Sequence, residues 1–103
     1  MICTLTARRL NPGRYEEFRS AWNPEDVEAV HRLGWRRMYH CRDVSDPDVV
    51  ISFGLFEGTV DELREAQQQM GRGSQVDRIS PHVAEVLLDG SFEVVEALEV
   101  PAR

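Results

Sequence analysis

The order in which strand-like and helical stretches follow one another is what most limits the folds open to this chain. Met1 to Arg8, MICTLTAR, mixes β-branched and apolar residues as a strand does. Asn11-Pro12-Gly13 breaks it, and from about Arg14 the residues Tyr15, Phe18 and Trp22 recur at helical spacing as one apolar stripe. Asn23-Pro24-Glu25-Asp26 predicts a fresh helix start, with Asn as N-cap, proline in the first position and acids in the first turn. Gly34 is placed to stop that short helix. Trp35 to Asp43 alternates as a second strand, Asp43-Val44-Ser45-Asp46-Pro47-Asp48 is turn chemistry, and Val49 to Glu57, VVISFGLFE, reads as a central strand. Gly54 inside it points to a bend or to something approaching closely. Thr59-Val60-Asp61-Glu62 is a capping box that opens a helix to about Met70. Gly71-Arg72-Gly73-Ser74 breaks this helix, and Ser80-Pro81 restarts one that carries Val83, Val86 and Leu87 and ends at Gly90. Ser91 to Val100 alternates as a fourth strand.

The resulting order, β-α-β-β-α-β, predicts a ferredoxin-like α+β domain over residues 1–103, an antiparallel four-stranded sheet with its helices on one face. Helices cover only one side of such a sheet. Val, Ile, Leu and Phe side chains on the other side would form an exposed patch larger than a monomer tolerates. A second copy of the sheet is the expected cover, so the pattern predicts a homodimer.

Charge and cysteine usage exclude whole classes of function. All 12 basic residues are arginine, so neither a lysine Schiff base nor a Walker-type phosphate loop is available. A net charge of -6 repels nucleic-acid backbones and anionic lipid. No apolar run reaches the length of a membrane span and Met1 leads straight into a strand pattern, which predicts a cytoplasmic domain with no secretory signal. Cys3 and Cys41 are too few for a four-ligand zinc site and are expected to be buried thiols. The histidines have no spacing that would hold a metal, and no Rossmann fingerprint supports a dinucleotide.

MICTLTARRLNPGRYEEF, with its Asn11-Pro12-Gly13 turn, Glu16-Glu17-Phe18 and the helical Trp22, resembles the opening of the antibiotic biosynthesis monooxygenase family of the dimeric α+β barrel superfamily. VVISFGLFEGTVDELREA is similar to that family's central strand and the helix after it. The resemblance implies a homodimer whose sheets form a barrel, with a pocket in each subunit between sheet and helices. Some members oxidise polycyclic phenols with molecular oxygen and no cofactor. Others degrade haem with an Asn on the first strand, which Met1 to Arg8 lacks.

On that reading the chemistry needs a base, aromatic walls and a dry cavity in which an electron-rich anion meets oxygen. His40 on the second strand and His82 after Pro81 are the candidate bases, each with a structural reading beside it, a hydrogen-bonded strand His and a solvent-facing helix residue. His31 is expected at the surface. Trp22, Trp35 and Tyr39 are candidate walls for an aromatic or polyketide-like substrate, or simply core. Arg36 and Arg37 alternate across the second strand, so one should point inward, toward a ligand (Arg37 is the candidate) or into an intersubunit ion pair. Strict alternation places Trp35 and Tyr39 on one face and His40 on the other, unless a β-bulge intervenes. A cofactor-free monooxygenase and a non-catalytic small-molecule-binding dimer both remain open.

Overall fold

The computed structural model describes residues 1–101. Strands β1 (Ile2–Leu10), β2 (Trp35–Arg42), β3 (Val49–Phe56) and β4 (Val83–Glu93) form one sheet in the order β2-β3-β1-β4, with every neighbouring pair antiparallel. Helices α1 (Tyr15–Trp22) and α2 (Val27–Leu33) connect β1 to β2, and α3 (Val60–Gln69) and α4 (Arg72–Ile79) connect β3 to β4. This is the expected ferredoxin-like arrangement. No helix among the described residues is long and apolar enough to cross a membrane.

Two clusters hold the helices to one face of the sheet. Ile2, Val30, Trp35, Phe56, Leu63 and Ala66 pack α2 and α3 over one end, and Leu10, Phe18, Val50 and Ile79 pack α1 and α4 over the other. The capping box forms as the sequence predicts, with the Glu62 amide donating to Thr59 Oγ1 and the Thr59 amide donating to Glu62 Oε1. Gly54 is a point of close approach. A Cβ there would lie 2.9 Å from Cζ3 of buried Trp35, so only glycine lets that ring come this close to β3.

The C-terminal third departs from the sequence reading. The stretch expected to be a helix from Ser80 to Gly90 is a short 3-10 turn, Ser80–His82, followed by β4. Leu10 pairs with Val83, Arg9 with Glu85, Arg8 with Val86 and Ala7 with Leu88, so Ala84 and Leu87 are extra residues at two register shifts. Each insertion turns a strand spacing of two into three, which imitates helical periodicity. The fourth strand ends at Glu93, opposite Ile2, and beyond it the Val94 amide donates to the Met1 carbonyl at 3.0 Å. Residues 94–100 alternate without forming a strand. The expected break at 71–74 shrinks to Gly71, whose left-handed backbone (φ 70°) lets α4 begin at Arg72.

The first helical pair also differs. Asp26 caps α2, accepting from the Ala29 amide at 3.0 Å, while Asn23 ends α1 and leaves its side chain free for another partner. Cys41 is exposed and Cys3 half-buried, rather than both buried, because they lie on the sheet face that no helix covers.

Candidate functional site

A β-bulge decides which side chains of β2 face the helices. Trp35 pairs with Phe56 and Arg37 with Leu55, so Arg36 is an additional residue in the strand. Trp35, Met38 and His40 therefore share the helix-side face, opposite Phe56, Gly54 and Ser52, while Arg37, Tyr39 and Cys41 turn to the open face. There Tyr39 stacks on Phe53 with centroids 4.7 Å apart, and the Arg37 guanidinium lies 5.7 Å from the Tyr39 ring. The inward arginine expected from alternation is absent at this strand. Both Arg36 and Arg37 are exposed, and Arg36 Nε donates to Glu57 Oε2 of the same chain at 3.2 Å.

Two spaces lie between sheet and helices. An inner cavity of about 250 Å³ is bounded by β1, β3, β4 and the helices, with Ser52, Thr6, Arg8, Trp22 and Trp35 in its wall. An outer groove of about 390 Å³ runs along β2 and α2 past Asn23 and His40. Trp22, Pro24, Trp35 and Met38 line both and form the partition. Of the candidate walls, Trp22 and Trp35 are thus brought together, Tyr39 is not, and Arg37 stands at the rim of the groove.

His40 sits at this partition with both ring nitrogens engaged. Nε2 lies 2.8 Å from Asn23 Oδ1 and Nδ1 lies 2.7 Å from Ser52 Oγ. An amide oxygen only accepts, so Nε2 carries the proton and Nδ1 accepts from the Ser52 hydroxyl. Tyr15, Phe18 and Trp22 surround the imidazole edge-on, at centroid distances of 6.5, 5.7 and 4.5 Å. Burial pushes the His40 pKa down, and the positive charges of Arg19 and Arg8 push it further the same way. The ring is a neutral base at pH 7. If it took a proton at Nδ1, both of its N–H groups would still find acceptors, Asn23 Oδ1 and Ser52 Oγ. Ser52, buried on the cavity wall, is the link between this base and the cavity.

This burial has a stability consequence. The unfolded chain protonates a histidine near its usual value of about 6.5, and folded His40 does so only at lower pH. Between those two values the unfolded state binds more protons, so stability should fall as pH drops below about 6.5. Urea midpoints at pH 7.5 and 5.5 should separate for the wild type, and His40→Gln should remove part of that separation. An identical separation in the variant would contradict the assignment.

The other histidines lie elsewhere. His82 ends the 3-10 turn, where its carbonyl accepts from the Asn11 amide at 2.9 Å, and it lines neither space. His31 is exposed on α2, as expected, with Nδ1 3.4 Å from Arg36 Nη1. Among the described residues no three His, Cys, Asp or Glu side chains gather as metal ligands would.

Sequence reasoning missed Ser52, Asn23 and Arg8. Asn23 carried the wrong signal, since Asn-Pro is ordinary cap chemistry. Ser52 carries a usable one, a polar residue at an inward position of the otherwise apolar β3, which must find a partner or a cavity, whereas Arg8 shares its face of β1 with Thr4 and Thr6.

No family profile and no curated protein matches the chain in sequence. Solved structures match it in shape. A Nitrosomonas europaea protein named as an antibiotic biosynthesis monooxygenase superposes with a TM-score of 0.74 at 14% identity, over 93% of this chain and 100% of its own. SnoaB, a cofactor-independent oxygenase from Streptomyces nogalater, superposes with a TM-score of 0.68 at 14% identity, over 94% and 95%. A NIPSNAP domain protein from Burkholderia xenovorans does so with 0.62 at 15%, over 98% and 99%. Identities this low speak for shape and not for activity, and the chain has the ferredoxin-like α+β fold of the antibiotic biosynthesis monooxygenase-like proteins.

Proposed function

We propose that this protein is a cofactor-independent monooxygenase acting on an aromatic or polyketide-like small molecule in the inner cavity. The observation that carries the reading is the neutral, aromatic-enclosed His40 whose Nδ1 accepts from Ser52 Oγ at 2.7 Å, on the cavity wall. A phenol placed at Ser52 would pass its proton to the serine oxygen while the serine passes its own to His40, leaving an electron-rich anion among apolar side chains. Dioxygen then gives one oxygen atom to a ring methylene carbon, which becomes a carbonyl, and the other leaves as water with that carbon's two hydrogens. Trp22 and Trp35 hold the ring and keep bulk water out.

The test is oxygen uptake by the purified protein with a hydroxyanthrone in air-saturated buffer. One dioxygen consumed per quinone formed, well above the spontaneous rate, is the expected result. Uptake no faster than without protein would overturn the reading. A second reading, a non-catalytic small-molecule-binding dimer, is favoured by the fact that both His40 nitrogens already have protein partners. Saturable binding without oxygen uptake would establish it.

Both readings include a homodimer. The sheet face opposite the helices carries the Tyr39–Phe53 stack and leaves Ile51 38%, Leu88 51% and Phe92 44% exposed, a contiguous apolar surface of the kind partners cover. Sedimentation should give twice the chain mass at micromolar concentration. Leu88→Glu, which buries an uncompensated charge in such a contact, should shift the protein to monomer. A wild-type monomer would sink the proposal.

A further inference from the structure

The inner cavity has a charge character unlike that of the rest of the chain. Four arginines line it, Arg8, Arg64, Arg72 and Arg78, against a single carboxylate, Asp89, in a protein of net charge -6. Arg8 is the unusual one. It stands on β1 between the two buried clusters, only 7% exposed, and among the described residues its Nη1 has no hydrogen-bond partner. The guanidinium Cζ lies 5.4 Å from the centroid of the Phe18 ring, a cation–π contact that uses none of its N–H donors. Asp89 accepts at Oδ1 from Thr6 Oγ1 at 2.8 Å and from Arg72 Nη2 at 3.4 Å, and makes no hydrogen bond to Arg8. Trp35, in the same wall, has a buried indole Nε1 that also lacks a partner.

A buried guanidinium that makes no ion pair with the one carboxylate near it is unfavourable, and a second orphaned donor adds to the imbalance. The cavity is rich in donors and short of acceptors, so an acceptor-rich anion suits it. Its apolar wall, with both tryptophans, suits a flat ring. We propose that the cavity binds an aromatic carboxylate, its carboxylate on the free edge of Arg8 and its ring against Trp22 and Trp35. A carboxylate matches the planar fork of one arginine in two parallel hydrogen bonds. The inference rests on the reading of this cavity as the small-molecule site and narrows the ligand to an acid. It accounts for a charge that the oxygenation chemistry leaves unused.

The burial that makes Arg8 unfavourable also lowers its pKa, with Asp89 opposing and Arg72 reinforcing. A bound carboxylate would restore a full counter-charge, and because the Arg8 charge also disfavours protonation of His40, it would make the base stronger.

The test compares 2-naphthoate with uncharged 2-naphthol by titration calorimetry and by quenching of tryptophan fluorescence. The chain has two tryptophans and both line the cavity and the groove beside it, so quenching reports binding at this partition and the Arg8 variant assigns it to the cavity. The wild type should bind the acid about tenfold or more tightly than the alcohol, the preference expected of a charged hydrogen-bonded pair. Arg8→Met should abolish that preference while leaving naphthol affinity unchanged. Equal affinity for acid and alcohol in the wild type overturns the proposal, and so does a preference that survives in Arg8→Met. If Arg8→Met does not fold, the wild-type comparison decides alone. Inorganic phosphate at millimolar concentration should not displace naphthoate; displacement would mean an unselective anion site and also overturn it. Oxygen uptake plays no part here. A preference for the acid with no turnover of any phenol removes the monooxygenase reading and keeps this one, whereas turnover of neutral phenols with no acid preference does the reverse.

Discussion

His40→Gln should lower the rate of oxygen uptake on a hydroxyanthrone by about a hundredfold or more, the usual contribution of a positioned general base. Glutamine can still donate to Asn23 Oδ1 or accept from Ser52, so the variant should fold with its helices in place. Ser52→Ala should also lose rate, because Ser52 Oγ is the polar atom joining the base to the cavity. His82→Gln should keep wild-type turnover, since His82 lines neither space. The pH profile adds a second check. The wild-type rate should rise as His40 loses its proton, with a midpoint below 6.5 because burial and the charges of Arg19 and Arg8 hold its pKa down. Full activity in His40→Gln would remove this histidine from the mechanism.

The largest stability effect is expected from Phe18→Ala. Phe18 is wholly buried on α1, packed in one cluster with Leu10, Val50 and Ile79, and it lies between the Arg8 guanidinium and the His40 ring. Deleting it leaves a cavity and should cost about 3–5 kcal/mol. It also takes away the ring in cation–π contact with a buried charge. Domains of this size have about 5–15 kcal/mol in all, so a large share of the stability would go. Thermal melting should drop by more than about 10 °C, at roughly 4–8 °C per kcal/mol for a chain of this length. A loss below about 1 kcal/mol in urea titration would show that the cluster repacks, and would contradict the account of this end of the core.

Local patterns were legible wherever one short stretch of chain decides its own conformation. The Thr59–Glu62 capping box, the stripe of Tyr15, Phe18 and Trp22, the central position of Val49 to Phe56 and the need for glycine at Gly54 all follow from spacing and from backbone chemistry. His40 was legible as a candidate base because it is a group that titrates near neutral pH on a strand, while its face was left open. Its partners were not. Asn23 is 17 residues away and Ser52 is on the next strand, and their roles depend on a register that a single sequence does not display.

What the sequence by itself determined is the order of elements, and with it the four-stranded antiparallel sheet with one helical face. Alternation and helical spacing are properties of successive residues, and the hydrophobic effect acts on them whatever else the chain does. Only the tertiary structure decided how the faces are populated. The bulge at Arg36 brings Trp35 to the side of His40 and sends Tyr39 to the other. The two insertions in β4 convert a stretch with helical spacing into a strand, whose pairing with β1 runs to Glu93. A bulge has no fixed composition. It arises where two strands of unequal length must pair their backbone hydrogen bonds, so its position is set by the partner strand and not by the residues that carry it. The same holds for Arg8: its charge is written in the sequence, but only the fold buries its Nη1 without a partner while Asp89 accepts from Thr6 and Arg72.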